Sequence, residues 1–216
     1  MARQKDKAER GWRGSADLWL QAGYEVLIDQ GVGAVNVGAL ATRLGLSRTS
    51  FYWHFPDREA LLAALVARWR GQNTGNLVAQ TEAFAETVTE AVLNLFDCWV
   101  SPVLFDSRLE FAIRNWAQGA PDLAAQVAEQ DALRLAALRV MFRRFGFGEI
   151  EADTRARTIY LTQIGYISMQ SREDWAERLA RIPTYARVFT GVDPSPAELA
   201  RFEARHAADA AVTSAG

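Results

Sequence analysis

Apolar residues recur with a helical period through almost the whole chain, and no stretch sustains the alternation of a strand. Trp19, Ala22, Gly23, Val26 and Leu27 share one face of a segment expected to be helical from Ser15 to Asp29, closed by Gly31 and Gly33. Val37, Leu40, Ala41 and Leu44 fall at i, i+3, i+4 and i+7, the apolar face of a two-turn helix. Another helix is expected from about Arg48 to Phe55. The run Phe55-Pro56-Asp57-Arg58 breaks the pattern, with Asp57 as the N-cap of a helix reaching about Trp69. The polar stretch 71–76 reads either as a loop or as a bent continuation. Further helices are expected at about 77–99, 102–118, 121–145, 150–170, 172–190 and 196–209. Ser101-Pro102 and Ser195-Pro196 each place a cap before a proline at the first helical position, and Ser195 with Glu198 forms a capping-box pattern. The chain reads as all-α.

Within this pattern one stretch differs, NVGALATRLGLSRTSFYWHFPDREALL over 36–62. After the two-turn helix, Gly45 permits a left-handed turn and Ser47 caps the next helix. Phe51 and Phe55, four apart, point inward. Arg48, Thr49, Tyr52 and Trp53 are left on the outer face. Two short helices joined by a glycine turn, the second presenting polar and aromatic groups, describe a helix-turn-helix. Its second helix would enter a DNA major groove by its N-terminal residues.

Charge supports that reading. The net charge is −2, but residues 1–70 carry ten Lys/Arg against seven acids, and the remainder fourteen against nineteen. The basic excess falls where a nucleic-acid surface would be needed. A lone cysteine, Cys98, excludes an internal disulfide, and with only His54 and His206 there is little to hold a metal. No cofactor or metal is expected. Neither a membrane-spanning run nor a secretory leader is visible, so a cytoplasmic location is expected. A Gly-rich phosphate loop, His-Glu-x-x-His, Gly-x-Ser-x-Gly and Cys-x-x-Cys are all missing, which argues against an enzyme.

The same stretch resembles the DNA-binding domain of the TetR/AcrR family of bacterial transcriptional regulators. That family's pattern runs roughly Thr-Val-x-x-Ile-Ala-x-x-x-Gly-Val-Ser, then x-Gly-x-Leu-Tyr-x-His-Phe and x-x-Lys-x-x-Leu. Val37, Leu40, Ala41, Gly45, Leu46, Ser47, Phe51, Tyr52, His54, Phe55, Arg58, Leu61 and Leu62 occupy matching positions, and the likeness extends over roughly residues 15–65. Asn36, Thr49 and Arg58 depart from the usual Thr, Gly and Lys. The chemistry of the residues and the resemblance together give candidate roles. Arg48 has the planar fork that reads guanine O6 and N7, and Thr49 suits a thymine methyl. Tyr52 matches the family tyrosine that reaches backbone or base edge, and Trp53 suits packing on sugar. Asn36, Ser47, Ser50, His54 and Arg58 suit phosphate oxygens. Tyr52 and Trp53 have a second reading as cover for the small core, and Arg58 one as a solvated first-turn charge.

The resemblance implies three parts. These are a basic arm over 1–14, a three- to four-helix helix-turn-helix domain over 15–70, and a helical effector-binding and dimerisation bundle over 71–216. It implies a ligand-responsive repressor that binds a near-palindromic double-stranded operator as a homodimer. The alternative is a helical interaction or ligand-binding module without DNA-binding activity. Candidate residues for an apolar or aromatic effector are Phe96, Trp99, Phe111, Arg114, Asn115, Trp116, Met141, Phe142 and Gln163. The segment around 159–167 is apolar on more than one side and so needs cover on both. Ile159, Tyr160, Gln163, Ile164 and Ile167, with Trp175 and Leu179, are therefore the candidates for the dimer face.

Overall fold

A computed structural model describes residues 14–171 and 173–213, with side chains given for all of these except Trp175 and 207–213. The basic arm Arg3–Arg13 lies outside the described residues. The described chain forms helices α1 (Ala16–Gln30), α2 (Val37–Leu44), α3 (Arg48–Phe51), α4 (Arg58–Trp69), α5 (Asn76–Glu82), α6 (Val88–Val100), α7 (Ser107–Ala117), α8 (Pro121–Arg144), α9 (Glu149–Ser168), α10 (Trp175–Thr190) and α11 (Pro196–Thr213). No strand occurs among the described residues.

The chain separates into two compact units. One comprises Met1–Arg70 with Arg108–Ala124, the other Gly71–Ser107 with Ala125–Gly216. In the first, α1 starts at Ser15, whose hydroxyl accepts from the Leu18 N–H, and it packs along α4. Trp19 and Phe51 are both fully buried and meet edge to face at 5.3 Å. Burying side chains of this size contributes about 1.5–3 kcal/mol each. Asp57 caps α4 through the Ala60 N–H, as its place in the sequence predicts. The Trp69 indole donates to Glu110, a fully buried carboxylate on α7, which also accepts from Arg114 at 2.8 Å.

In the second unit, α6 is buried along its whole length after the first turn and packs against α5, α10 and α11. The guanidinium of Arg134 is fully buried, donating to Thr74 Oγ1 at 2.9 Å and to the Tyr160 hydroxyl at 3.0 Å. Tyr160 in turn donates to Asp131 at 2.6 Å. Ser195 and Glu198 exchange the reciprocal bonds of a capping box, 2.5 and 3.3 Å.

One open alternative is decided and two expectations are corrected. The 71–76 stretch is the bent continuation and not the loop: Arg70–Gly75 forms a π-helical turn, held by Asn73, which binds the Asp106 backbone through both ends of its amide. The helix expected over 77–99 breaks between Glu82 and Val88. Thr87 caps the second piece through the Glu90 N–H, and Glu90 reaches back to the Glu86 N–H. Pro102 does not begin a helix. The carbonyls of Pro102, Val103 and Leu104 accept instead from Gln72 and Asn76, and the helix starts five residues later at Ser107.

Candidate functional site

The helix-turn-helix is built from short-range bonds. Asn36 caps α2, accepting from the Ala39 N–H at 2.9 Å while its amide nitrogen donates to the Ala34 carbonyl at 3.2 Å. Gly45 closes α2 in the left-handed region, φ 64° and ψ 28°, and the Leu46 N–H returns to the Ala41 carbonyl at 3.0 Å. A side chain at this position would be strained, which is why the turn requires glycine. Ser47 then caps α3 through the Ser50 N–H at 3.2 Å. Helix α3 is a single turn, and the chain continues in turns to His54.

Arg48, Thr49, Tyr52 and Trp53 all stand outward. Tyr52 and Trp53 are 57% and 64% exposed, so neither covers the core. Arg48 has no carboxylate partner among the described residues. Its guanidinium lies across Gly38 of α2, where an added Cβ would stand 2.9 Å from Nη2 and 3.3 Å from Cζ. Sequence reasoning missed Gly38. The available signal was a glycine inside a helix, costing roughly 0.5–1 kcal/mol relative to alanine with no turn to explain it.

Several expected phosphate contacts are engaged elsewhere. Ser50 is buried, and its hydroxyl donates to the Ser47 carbonyl at 2.6 Å. His54 is half-buried with its Nε2 enclosed and unpartnered, so that nitrogen does not face outward. Arg58 is a clamp: it donates to the Val32 carbonyl at 2.8 Å and to the Val35 carbonyl, fixing the turn that leads into α2. It is neither a free phosphate ligand nor a solvated charge. Ser47 and Asn36 are exposed but serve as caps.

The candidate effector residues divide in the same way. Phe96, Trp99 and Gln163 line a solvent-open cleft in the second unit and also line a smaller hollow beside it. Tyr166, Arg178 and Tyr185 complete its wall and were not foreseen as ligand-binding residues. Phe111, Arg114, Asn115 and Trp116 lie on α7 in the first unit, and Arg114 is held by Glu110. Met141 and Phe142 are fully enclosed core, with Phe142 edge-on to Phe147 at 5.7 Å. The buried Cys98 thiol is pushed up to about 12 by desolvation, with Asp97 adding to the effect, so it stays a neutral core group.

The expected dimer face is largely turned inward. Ile159, Tyr160, Gln163 and Ile167 are buried within their own unit, Tyr160 because it bridges Arg134 and Asp131. Ile164 and Leu179 are half-buried, and the Trp175 side chain lies outside the described residues. The outer side of α9 carries Thr154, Thr158 and Leu161, the last 59% exposed, and the space beside Gly165 is open. Thr154 and Thr158 donate their hydroxyls to carbonyls one turn back, both at 2.8 Å.

A one-turn helix on a glycine hinge, projecting an arginine and two aromatic rings from a helical domain, defines a helix-turn-helix DNA-binding protein. Residues 20–65 match the family model of the tetR family of bacterial regulatory proteins. That match covers the helix-turn-helix and supports reading the chain as a DNA-binding transcriptional regulator. Its fold is similar to that of the fatty acid degradation regulator FadR from Bacillus halodurans, with TM-score 0.60 and 16% identity, over 82% of this chain and 94% of that one. It is also similar to Mycobacterium smegmatis AmtR, with TM-score 0.61 and 20% identity, over 87% and 91% of the two chains. No curated protein matches the chain in sequence. Among the described residues no helix is long and apolar enough to cross a membrane.

Proposed function

We propose that the chain is a homodimeric cytoplasmic repressor that binds a near-palindromic operator and is released by a small-molecule effector. Residues 15–70 form the reading domain, and residues 71–216 the effector and dimer domain. The observation that carries the reading is Arg48, exposed, with no acidic partner among the described residues and seated on Gly38, with Thr49, Tyr52 and Trp53 beside it. Arg48 reads guanine, Thr49 touches a thymine methyl, and Tyr52 and Trp53 pack on the backbone; Ser47 and Asn36 add phosphate contacts.

One turn of helix reaches only a few base pairs, so specific binding requires two heads about 34–36 Å apart, one turn of DNA. The outer side of α9, with Leu161, Thr158, Ile164 and Gly165, together with Val188 of α10, is the surface that joins the two copies. The cleft lined by Phe96, Trp99 and Gln163 receives the effector. Its occupation weakens DNA binding by a coupling free energy of roughly 1–3 kcal/mol.

Selection from a random DNA pool, followed by anisotropy titration at several salt concentrations, tests this. The expected result is an inverted pair of half-sites bound tightly by a dimer, with affinity falling steeply as salt rises. Leu161→Glu is expected to yield monomers by sedimentation and to lose the site. A pool with no enriched half-site, or a site bound equally well by monomers, overturns the reading.

A further inference from the structure

The cleft in the second unit is rich in hydrogen-bond donors and poor in acceptors. Trp99, 94% buried by its 6% exposure, lines the cleft, and its enclosed indole Nε1–H has no hydrogen-bond partner among the described residues. Buried donors without partners are rare in folded proteins and call for an explanation. Gln163, also buried, makes no hydrogen bond with its side chain among the described residues, and it lines the same cleft. The Arg178 guanidinium is the third such group: half-buried at the wall, with no hydrogen bond or ion pair among the described residues.

The charged and phenolic acceptors in the cleft are already occupied, and the amide oxygen of Gln163 is the acceptor that remains. Glu173 forms an ion pair with Arg181 and also accepts from the Tyr166 hydroxyl at 3.3 Å. The Tyr166 and Tyr185 hydroxyls are bonded to each other at 2.6 Å. Tyr166 is pushed up to about 12, first by that bond to Tyr185 and then by desolvation, so it remains a neutral phenol. Glu173 faces both Arg181, its ion-pair partner, and Arg178, so one carboxylate stands against two guanidinium groups. Desolvation holds the Arg178 guanidinium below its ordinary range, with the Glu173 charge opposing it.

The remaining walls are apolar: Phe96 and Trp99 meet at 5.5 Å, and Tyr185 stacks on Phe189 at 5.6 Å. Pro183 of α10 has no N–H to give the Leu179 carbonyl, so one rung of the helix is missing between Arg178 and Tyr185 although the helix itself runs on.

We propose that the cleft binds an organic carboxylate with a flat or aliphatic apolar body. The carboxylate pairs with Arg178, an oxygen accepts from Trp99 Nε1, and the body lies between Phe96 and Tyr185. A cationic ligand is disfavoured because it would meet Arg178 and find Glu173 already neutralised. The assignment rests on the reading of the second unit as effector-binding, and deepens it by naming the ligand's chemistry.

Calorimetry on the full chain with phenylacetate, phenylacetamide and phenethylamine tests the head group on a constant ring, with octanoate as a longer carboxylate. A carboxylate is expected to bind at least about tenfold more tightly than the amide or the amine. Arg178→Gln is expected to erase that preference, and Trp99→Phe, which keeps a ring but removes the donor, to weaken the carboxylate several-fold. Circular dichroism establishes that both variants are folded. Equal affinity for the three head groups, preference for the amine, or no heat with phenylacetate and octanoate alike overturns the assignment. Adding each compound to the operator complex separates the two readings. A carboxylate that binds without releasing DNA upholds the ligand chemistry and overturns the effector role. An amine that binds and releases DNA does the reverse.

Discussion

The reading head and the C-terminal cleft expose their chemistry by opposite routes. In the head, Arg48, Thr49, Tyr52 and Trp53 are near neighbours in sequence, and the bonds that aim them span three or four residues, from Asn36 to Ala39 and from Ser47 to Ser50. In the cleft, Trp99, Gln163 and Arg178 come from α6, α9 and α10, and only the packed bundle brings them together. The outward groups of the head contribute little to its core, so function and stability are separable there. In the second unit the groups that shape the surface also sit in the core, and a change to one disturbs the other.

The sharpest way to break that contrast is at Arg48. Arg48→Ala is expected to cost roughly 1–3 kcal/mol of specific binding and to relax the preference at one base position, with an unchanged melting temperature. Loss of stability equal to loss of binding would show that the head does not separate the two properties. Arg58 is the exception within the head. Arg58→Ala takes the Arg58 donor from the Val35 carbonyl and leaves the Val32 carbonyl only its bond from the Val35 N–H, and it is expected to cost about 1–3 kcal/mol of stability, read as a drop of several degrees in Tm, while the salt dependence of DNA binding stays as it was. A flattened salt slope would return Arg58 to the phosphate contacts.

Gly38 sharpens the comparison further. Gly38→Ala is expected to stabilise α2 by up to about 1 kcal/mol yet weaken operator binding several-fold, because the new methyl displaces the Arg48 guanidinium. Tighter binding would contradict the seat.

The smallest effect belongs to the second unit and appears only in acid. Burial raises the Glu198 carboxyl, but bonds from Thr87, Ser195 and Thr89 outweigh it and bring the group down to about 2. A carboxylate depressed in the folded state contributes stability above its ordinary value near 4.5, and that contribution is lost as pH falls toward 2. Glu198→Gln is expected to flatten this acid limb in a melting series across that window.

The same contrast explains what could be read from the sequence. The helix period and the caps at Ser47 and Asp57 were visible because each depends on a few adjacent residues. The outward face of α3 was visible for the same reason, since Phe51 and Phe55 fix which side is inner. Arg58 was misread because its partners lie more than twenty residues away, and a first-turn arginine looks alike whether it binds a carbonyl or water. The break after Glu82 had a local signal, Thr87 three before Glu90, that the apolar run of α6 concealed. On α9, the apolar pattern showed that two sides needed cover but not which belonged to the unit itself. The buried Arg134 decided that by drawing Tyr160 inward.

The threonines on the outer side of α9 give that surface two personalities. While the face is bare, each hydroxyl can swing to water, so the single chain avoids the stickiness that a row of valines would bring. Thr154 and Thr158 already turn their hydroxyls to the carbonyls behind them, and in that position only a methyl meets what lies opposite. Such a surface is wettable in isolation and oily in company, a property suited to the pairing proposed for this face.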